Sequence, residues 1–386
     1  MKTIGYVLAD FPALSETFVG NEIRAMRAQG HRVVPVIMHL LDGPAQAEDR
    51  TLAAQSIALK DISLSDAARA AMRPSRQLDR ALSFLLAQRS LPSLSLLVNA
   101  LKIASVMRRA GCSHLHAHFA GGAAAHAIVA ARWIGASVSF VGHGHDIYSE
   151  PEDLAAKLAA VDFVVGTCND MVGDFESLQP GVRAVRVPCG TDPGRFRPYE
   201  GCTPTDRFLA IGRLVEQKAY DDLLLALART APSVRVDIVG DGPLRAHLRE
   251  LAMRLHLGAD RLRWLGARPA SWIVENGPKY AALIAPFRMA RNGERDTGPV
   301  VIKEAMAMGL PVIGTRFMGT KEMVGPDNGI LVESGDIGAL ARALDGMAAM
   351  DPGARRAMGM AGRLKVEQQF SLATQARRLS LSIEAA

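Results

Sequence analysis

Two carboxylates with seven residues between them, Asp296 and Glu304, stand in a segment whose residue types suit the binding of a polar ligand. The segment reads GERDTGPVVIKEAMAMG. Gly298 permits an unusual backbone angle, and Pro299 is suited to the first position of a helix. The following residues are helix formers or apolar, so the sequence predicts a loop, a turn and a helix from Val300 to Met308.

Glu304 falls on the apolar face of this predicted helix, and Lys303 points well away from that face. An unpaired carboxylate is costly to bury, and a ligand with hydroxyl donors would satisfy it. The free amides at the helix start, around residues 298–300, would attract an anion to the same place. Hydroxyl groups beside a bound phosphate indicate a sugar nucleotide.

Two cations follow the first strand predicted in the second half of the chain. Arg213 comes directly after the strand at Phe208–Gly212, and Lys218 lies in the loop before the next helix. Cations at the carboxyl edge of a parallel sheet suit a diphosphate. Cations in loops are usually only solvated. The pair indicates a diphosphate site because it shares a sheet edge with Asp296 and Glu304.

Several motifs of other enzyme classes are absent from the sequence. No Asp-x-Asp occurs, so the usual acidic clamp for a divalent metal on a sugar diphosphate is missing. No GxGxxG follows the first strand, and neither GxxxxGK[ST] nor GxSxG is present. A dinucleotide oxidoreductase, a P-loop NTPase and a hydrolase with a serine elbow are therefore disfavoured.

Three histidines alternate along a predicted strand, so His114, His116 and His118 share one face of it. Three imidazoles on one face could bind a metal ion. No acidic or cysteine ligand is near them, and Gly121-Gly122 opens a helix directly afterwards. We therefore interpret the strand as the lining of a pocket, without a metal.

A second polar group follows the strand predicted at Ser137–Val141, in the segment GHGHDIY. His143, His145 and Asp146 would lie at the carboxyl end of that strand, where open α/β sheets bind ligands. A structural histidine with satisfied hydrogen bonds is the alternative for either imidazole.

Apolar runs alternate with helical segments along the whole chain, which predicts α/β structure with parallel sheets covered by helices. The pattern occurs twice, on either side of a segment rich in proline and glycine at residues 192–206. We expect two doubly wound, Rossmann-like domains at residues 1–195 and 196–365. A final helix at residues 366–386 is expected to cross back to the first domain.

The composition is that of a globular protein with excess positive charge. Of 386 residues, 49% are hydrophobic and 22% are charged, and the net charge is +6. This charge suits nucleic acid, an anionic membrane or a phosphorylated substrate. Aromatic residues make up only 5% and do not interleave with basic residues, which argues against binding of single-stranded nucleic acid.

The sequence indicates neither a signal peptide nor a membrane-spanning run. Four widely spaced cysteines lack metal-binding spacing, so we expect reduced thiols and a cytoplasmic location: Cys112, Cys168, Cys189 and Cys202. Residues 42–110 are helical in character and rich in arginine. Either these helices present a solvated basic face, or the face docks on anionic lipid.

Taken in order, the motifs resemble retaining glycosyltransferases of the GT-B fold, in the family 4 group that builds bacterial surface polysaccharides. The segments FPALSETFVGNEI, HLHAHF and GHGHDIY are similar to first-domain signatures of exopolysaccharide and colanic-acid-type members. The segments IGRLVEQKAYDDLL, VGDGPLRAHL and GERDTGPVVIKEAMAMGLPVIGT are similar to donor-domain signatures. The resemblance implies that an acceptor-binding domain and a donor-binding domain face each other across a cleft.

The same resemblance implies a role for individual residues. Arg213 and Lys218 would hold the donor diphosphate, Glu304 would bind the ribose, and Asp296 would contact the transferred sugar. His143 would sit beside the anomeric carbon, so the catalytic candidates are His143, Arg213, Lys218 and Asp296. Further donor-binding candidates are Gly242, Arg268, Thr297, Gly298 and Val300, and candidates on the acceptor side are Ser15, Glu16, His118, His145 and Asp146.

Two departures from the family pattern concern glycine. The glycine usual after the lysine is Ala219, and the usual Gly-Gly pair before an acid reads Met318-Gly319, with Glu322 following. The second change affects the expected shape of the phosphate loop and removes no charged group.

We expect transfer of a sugar from a UDP- or GDP-sugar to a hydroxyl of a lipid-linked or oligosaccharide acceptor, with retention and without a cofactor or metal. Peripheral contact with an anionic membrane stays the alternative to a solvated basic face, and binding of nucleic acid is not expected. Two alternatives stay open. One is a nucleotide-sugar epimerase of the same fold, and the other is a basic membrane- or nucleic-acid-binding protein without catalysis.

Overall fold

The computed structural model describes residues 1–13, 16–198 and 205–386. Ser15 and Cys202 lie outside these ranges. The chain divides into two compact units, one made of Met1–Cys189 with Leu372–Ala386 and the other of Gly190–Ser371. The sequence places the corresponding boundaries at residues 195 and 365.

The first unit is built on a parallel sheet. The described residues form seven strands in the order β3-β2-β1-β4-β5-β6-β7. Their bounds are β1 (Thr3–Phe11), β2 (Arg32–Leu40), β3 (Ile57–Ala58), β4 (His114–His118), β5 (Ser137–Val141), β6 (Phe163–Gly166) and β7 (Ala184–Arg186).

Helices connect and cover these strands. They are α1 (Thr17–Ala28), α2 (Ala47–Ala54), α3 (Leu64–Ala71), α4 (Leu78–Ala87), α5 (Ser93–Ala110), α6 (Gly122–Ile134), α7 (Leu154–Ala160) and α8 (Asn169–Leu178). The basic region at residues 42–110 thus contains α2 to α5 and the short strand β3.

The second unit repeats the arrangement. Its described strands are β8 (Arg207–Ile211), β9 (Arg235–Val239), β10 (Leu262–Gly266), β11 (Leu283–Ala285), β12 (Val312–Thr315) and β13 (Gly329–Val332), in the parallel order β10-β9-β8-β11-β12-β13. Its helices are α9 (Tyr220–Leu227), α10 (Arg245–Arg254), α11 (Ala270–Asn276), α12 (Val300–Ala307), α13 (Thr320–Met323), α14 (Ile337–Ala349) and α15 (Pro352–Lys365).

The last helix, α16 (Leu372–Glu384), packs on α1 within the first unit. Lys2 donates from Nζ to the carbonyl of Ile383 at 2.7 Å. His31 and Ser380 are joined by a hydrogen bond of 2.8 Å. The end of the sequence is therefore part of the core of the first unit.

The central strands of both sheets are buried because helices cover both faces, as in other parallel sheets, and three buried histidines on β4 are a polar exception in the first sheet. Buried aliphatic and aromatic residues fill each face of the second sheet. The predicted α/β class is confirmed. Within the described residues, no helix is both long and apolar enough to cross a membrane.

Each sheet has one point where the winding direction reverses. In the first unit it lies between β1 and β4, and in the second between β8 and β11. Open α/β sheets bind ligands outside the carboxyl ends of the strands at such a point. The fold therefore selects the segments after these four strands as the places to look for a site.

Candidate active site

In the second unit, the cation after β8 pairs with the carboxylate after β11. The Lys218 ammonium lies 2.8 Å from Asp296 Oδ2, and it also sits 4.3 Å above the ring of Phe287. The exposed fractions of the Lys218 and Asp296 side chains are 14% and 23%. Two groups that the family resemblance assigns to different parts of the ligand thus neutralise each other in this structure.

A residue that sequence reasoning missed, Arg288, ties the same two loops together. Its guanidinium donates to Asp221 Oδ2 at 2.8 Å and to Asp222 Oδ1 at 2.9 Å. Its backbone amide donates to the carbonyl of Gln217. Because Gln217 is next to Lys218, the Arg288 clamp fixes the position of the lysine relative to the loop after β11.

Glu304 lies on α12, which begins after Pro299. Its side chain is half-buried, and its carboxylate makes no hydrogen bond or ion pair within the described ranges. Desolvation raises the pKa of Glu304 to about 7, although the positive charges of Arg195 and Lys303 act in the opposite direction. A hydroxyl-bearing ligand could satisfy this carboxylate, as the sequence predicts.

The prediction that Lys303 points away from the buried face is wrong. Lys303 is only 1% exposed. Its ammonium donates to the carbonyl of Gly298 at 3.1 Å and lies 5.9 Å from the ring centre of Phe370. A carbonyl and an aromatic face within reach of its long side chain explain the burial, and a helical wheel includes neither.

The loop before α12 is held from a second direction. Thr297 is buried, and its carbonyl accepts a hydrogen bond from the amide of Gly319 at 3.1 Å. Gly298 and Val300 are half-buried at the start of the helix. The amides of a first helical turn have no partner within the helix, so this end can receive an anion.

The remaining donor-site candidates differ in their surroundings. Arg213 is exposed, and Arg268 is exposed beside Trp272, with 5.7 Å from its guanidinium to the indole. At Gly242, a Cβ atom would lie 2.6 Å from the carbonyl oxygen of Leu214. Gly242 is therefore needed for the close approach of the turn after β9 to the segment after β8.

Both departures from the glycine pattern fall where glycine is physically favoured. Ala219 has a φ of 49° and Met318 a φ of 44°. This left-handed region costs a residue with a Cβ about 1–2 kcal/mol. The backbone therefore keeps the conformation that glycine usually occupies, at the cost of local strain.

In the first unit, the histidine strand β4 is buried. His114 Nε2 and His116 Nδ1 both lie 2.8 Å from the hydroxyl of Ser139 on β5. His118, at the carboxyl end of β4, contacts instead the carboxylate of Glu22. The prediction that no acid lies near these histidines is wrong, because α1 brings Glu22 against the strand.

Glu22 is a buried carboxylate with several partners. Its Oε1 atom accepts from the hydroxyl of Tyr6 at 3.0 Å and lies 3.1 Å from His118 Nε2 and 3.5 Å from His116 Nε2. Burial acts to raise the pKa of Glu22, but His118, His116 and Tyr6 outweigh it and lower the pKa to about 2. Glu22 is therefore ionised at neutral pH.

His143 follows β5 and packs against Phe18, with 4.4 Å between the ring centres and an angle of 36° between the ring planes. Its Nε2 atom lies 3.2 Å from Nδ1 of His118. Burial holds the pKa of His143 well below its usual value, reinforced by His118 and His116 and opposed by Glu22. The ring is therefore neutral, which suits a hydrogen-bonding role.

The other candidates of the first unit lie around this group. The buried carboxylate of Asp146 accepts the amides of Ala120, His143 and Gly144, so Asp146 shapes the loop. His145 is exposed, with Nε2 3.5 Å from Glu150. Glu16 is half-buried, and burial raises its pKa while the charge of His118 lowers it.

Comparison with known proteins gives the site its family context. A family model described as glycosyl transferases group 1 matches residues 205–349. The GDP-mannose-dependent monoacylated alpha-(1-6)-phosphatidylinositol monomannoside mannosyltransferase of Corynebacterium glutamicum is 32% identical over 214 residues, which are 53% of this chain and 55% of that protein. The chain thus spans about half the length of that relative.

Other similarities extend over the whole chain. The putative colanic acid biosynthesis glycosyltransferase WcaL of Escherichia coli K12 is 26% identical over 411 aligned positions, covering 99% of both chains. The crystal structure of Anabaena HepE in complex with UDP matches with a TM-score of 0.75 and 16% identity, covering 100% of both chains. That identity is low enough for the likeness to establish the fold alone. Residues 205–349 therefore match the glycosyl transferases group 1 family, and the chain has the GT-B fold of its structural neighbours.

Proposed function

We propose that the protein transfers a sugar from a nucleotide-sugar donor to a hydroxyl group of a glycan acceptor. The observation that carries the proposal is the pairing of Lys218 with Asp296 at the switch point of the second sheet. Glu304, which has no hydrogen-bond partner within the described residues, follows on the next helix. This set offers a cation for phosphate, a carboxylate for sugar hydroxyls and a carboxylate for the ribose.

The reaction is proposed to retain the anomeric configuration. Lys218 and Arg213 stabilise the leaving diphosphate, and a phosphate oxygen takes the proton of the attacking hydroxyl on the same face of the sugar. When the donor binds, Asp296 exchanges its contact with Lys218 for a sugar hydroxyl, and Lys218 contacts the diphosphate. Ligand binding thus replaces the ion pair between Lys218 and Asp296 with two contacts to the donor. The absence of an Asp-x-Asp motif supports a site without a metal clamp.

The donor is proposed to be a UDP- or GDP-sugar. The relative from Corynebacterium uses GDP-mannose by name, and HepE was crystallised with UDP. A panel of nucleotide sugars screened by ligand-detected NMR identifies the nucleotide. Analysis of the product with each acceptor then gives the anomeric configuration, and an inverted product overturns the retaining mechanism.

A nucleotide-sugar epimerase of the same fold is the main alternative, because it would use the same donor site without an acceptor. Incubation with the donor alone separates the two. Release of an epimerised sugar without any acceptor contradicts the transferase proposal. Acceptor-dependent consumption of the donor supports it.

The acceptor is proposed to be a lipid-linked glycan used at the cytoplasmic face of a membrane. Two observations favour such a docking surface in the first unit. Arginines cluster around a pocket of about 440 Å³ at α3 and α5, including Arg69, Arg73, Arg108 and Arg109. Leu64 and Met72 are 69% and 74% exposed at the two ends of α3. An apolar rim beside a basic pocket suits an anionic bilayer surface.

Vesicle sedimentation tests this docking surface. Binding to vesicles with anionic lipid is expected to exceed binding to zwitterionic vesicles and to fall in the double variant Arg69→Gln/Arg73→Gln. The matched control is Arg249→Gln, on an exposed position of α10 in the second unit. Equal sedimentation of all three proteins contradicts docking through this surface.

A further inference from the structure

Lys218, the cation proposed to bind the donor diphosphate, has two partners within the second unit. Its ammonium lies 2.8 Å from Asp296 Oδ2 and 4.3 Å from the centre of the Phe287 ring. The contact with Asp296 lacks the angles of a hydrogen bond, so Oδ2 has no hydrogen-bond partner within the described residues. The carboxylate therefore attracts the ammonium by charge without fixing its direction.

The aliphatic part of Lys218 passes close to the backbone of Gly212, the residue that follows β8. A Cβ atom added at Gly212 would lie 3.1 Å from Cε of Lys218 and 3.4 Å from Cδ. Glycine therefore leaves the space in which the end of the lysine side chain lies. With Gly212 beside its methylene groups and Phe287 at its ammonium, the side chain has a defined position before any ligand binds.

Phe287 is itself fixed by its neighbours. Its side chain is only 2% exposed, and its carbonyl accepts hydrogen bonds from the hydroxyls of Thr315 and Ser334. The next residue is Arg288, which is tied through its amide to the carbonyl of Gln217 and through its guanidinium to two aspartates of α9. The ring therefore has little freedom to move, and it can serve as a fixed support for the ammonium.

We propose that Phe287 is a positioning residue that holds the Lys218 ammonium while this group exchanges Asp296 for the donor diphosphate. The exchange belongs to the proposed function, on which this inference rests. An aromatic ring attracts a cation through the negative charge of its face. The ammonium has three N–H donors, so it keeps donors for a carboxylate or a phosphate while the ring holds it.

The physical advantage of such a support is that the lysine stays ordered during the exchange. A lysine held only by an ion pair would be released when the pair breaks, and ordering its flexible side chain again at the phosphate would cost conformational entropy. The Phe287 ring avoids this cost because the ammonium is already in place. The inference therefore predicts that the contact with the ring persists with and without the contact to Asp296.

A packing role is the competing interpretation of Phe287, because its ring also belongs to an apolar core cluster of the second unit. The two roles depend on different properties of the ring. Packing depends on its shape and volume, whereas attraction of a cation depends on the charge of its face. A change in that charge at nearly constant shape therefore separates them.

The direct test replaces Phe287 in the full-length protein by phenylalanines that carry one, two or three ring fluorines, which withdraw negative charge from the face of the ring. The probes are UDP and GDP, and isothermal titration calorimetry measures the Kd of each. For a nucleotide that binds, the Kd is expected to rise stepwise along the series, by about tenfold for the trifluorinated ring. The value of kcat is expected to fall in the same order.

The matched control is the same series of fluorinated rings at Phe208, which is fully buried on β8 in an apolar cluster of the same unit. There the Kd should stay within about twofold of the wild-type value, because the ring packs against apolar side chains. An unchanged Kd across the Phe287 series overturns the proposal and assigns the ring to packing.

A second measurement follows the lysine itself and requires no activity. Protons above the face of an aromatic ring resonate upfield, and the Cε signal of Lys218 in protein labelled with ¹³C-lysine is identified by its loss in Lys218→Met. The upfield position is expected to persist in Asp296→Asn and in the wild-type protein saturated with UDP or GDP. Its loss in Asp296→Asn would show that the ion pair holds the lysine, and its loss on nucleotide binding would show that the lysine leaves the ring. Either result overturns the proposal.

Failure of the proposed function gives a different result from failure of this inference. If neither UDP nor GDP binds, the donor site is refuted, and the exchange at Lys218 is refuted with it. If a nucleotide binds with the same Kd across the Phe287 series, the donor site stands and the role of Phe287 is refuted.

Discussion

Two glutamates, Glu22 in the first unit and Glu304 in the second, differ in their exposure, their partners and the direction of their pKa shift. Glu22 in the first unit is 3% exposed and has partners on both oxygens, and its pKa is lowered to about 2. Glu304 in the second unit is half-buried without a hydrogen bond within the described residues, and its pKa is raised to about 7. Burial alone acts in the same direction on both.

The difference lies in what each carboxylate finds within the protein. Glu22 is satisfied by side chains from β1, β4 and α16, so the folded chain needs nothing more there. Among the described residues, Glu304 makes no hydrogen bond or ion pair, and the charges that act on its pKa are those of Arg195 and Lys303. An unsatisfied polar group costs folding free energy and is typical of a place where a ligand supplies the missing partner. The comparison thus separates a carboxylate that is satisfied within the fold from one that is proposed to bind a ligand.

The largest expected effect is on stability, in the first unit. Glu22→Ala leaves His118, Tyr6 and Gln375 without their common partner and should lower the free energy of unfolding by about 3 kcal/mol or more. Glu48→Ala, at an exposed position of α2, is the matched control and should change it by less than about 0.5 kcal/mol. Chemical denaturation measures both, and equal small losses would remove the distinction between the two glutamates.

The second effect is on turnover, in the second unit. Lys218→Ala removes the cation proposed to stabilise the leaving diphosphate and should lower kcat about 100-fold while leaving the thermal unfolding midpoint nearly unchanged. Arg249→Ala removes an exposed cation from the same unit and should keep wild-type turnover. Near-normal transfer by the Lys218→Ala protein would refute the assignment of the donor site.

The third effect is a pH dependence with a defined sign. The pKa of Glu304 is about 7 in the folded chain against an unfolded value of 4.5, so the folded state binds the proton more tightly. Its contribution to stability therefore falls as pH rises from 4.5 to 7 and is fully lost above 7.

Glu304→Gln removes this dependence. The variant should match the wild-type protein near pH 5 and exceed its free energy of unfolding by about 1 kcal/mol at pH 8, allowing for partial exposure. Glu275→Gln, at an exposed position of α11, serves as the control and should show no such divergence. A variant that is less stable than wild type at pH 8 would mean that Glu304 already has a partner.

The smallest expected effect tests whether the charge of Arg195 acts on the pKa of Glu304. The charge of Arg195 lowers the pKa of Glu304, so Arg195→Gln should move the midpoint of the pH dependence upward by a fraction of a pH unit. Arg197→Gln, two residues along at an exposed position, should not move it. The same denaturation series measures both, and a downward shift would contradict the proposed electrostatics.

Much of the second site could be predicted because its signals are local. A carboxylate on an apolar helical face and a glycine-proline turn lie together in the segment from Asp296 to Glu304, and the two cations Arg213 and Lys218 follow one strand. The same helical-wheel reasoning could have found Glu22, which lies on α1 between the buried residues Val19 and Met26. It could not have found Gln375, because no local pattern marks a partner 353 positions away.

Other features depended on contacts that the sequence does not encode locally. Lys303 is buried because the carbonyl of Gly298 and the ring of Phe370 are within reach of its ammonium. Arg288 looks like an ordinary loop cation until Asp221 and Asp222 are placed beside it. In each case the deciding partner comes from another element.

By itself, the sequence determined the two parallel sheets, because runs of apolar residues and helical periods alternate twice along it. It also determined which loops carry charge at the sheet edges, since parallel strands all end at the same side. Only the tertiary structure decided which of those charges meet. Lys218 finds Asp296 across the switch point, and Glu22 finds His118 and Gln375, because folding brings distant segments within hydrogen-bond distance.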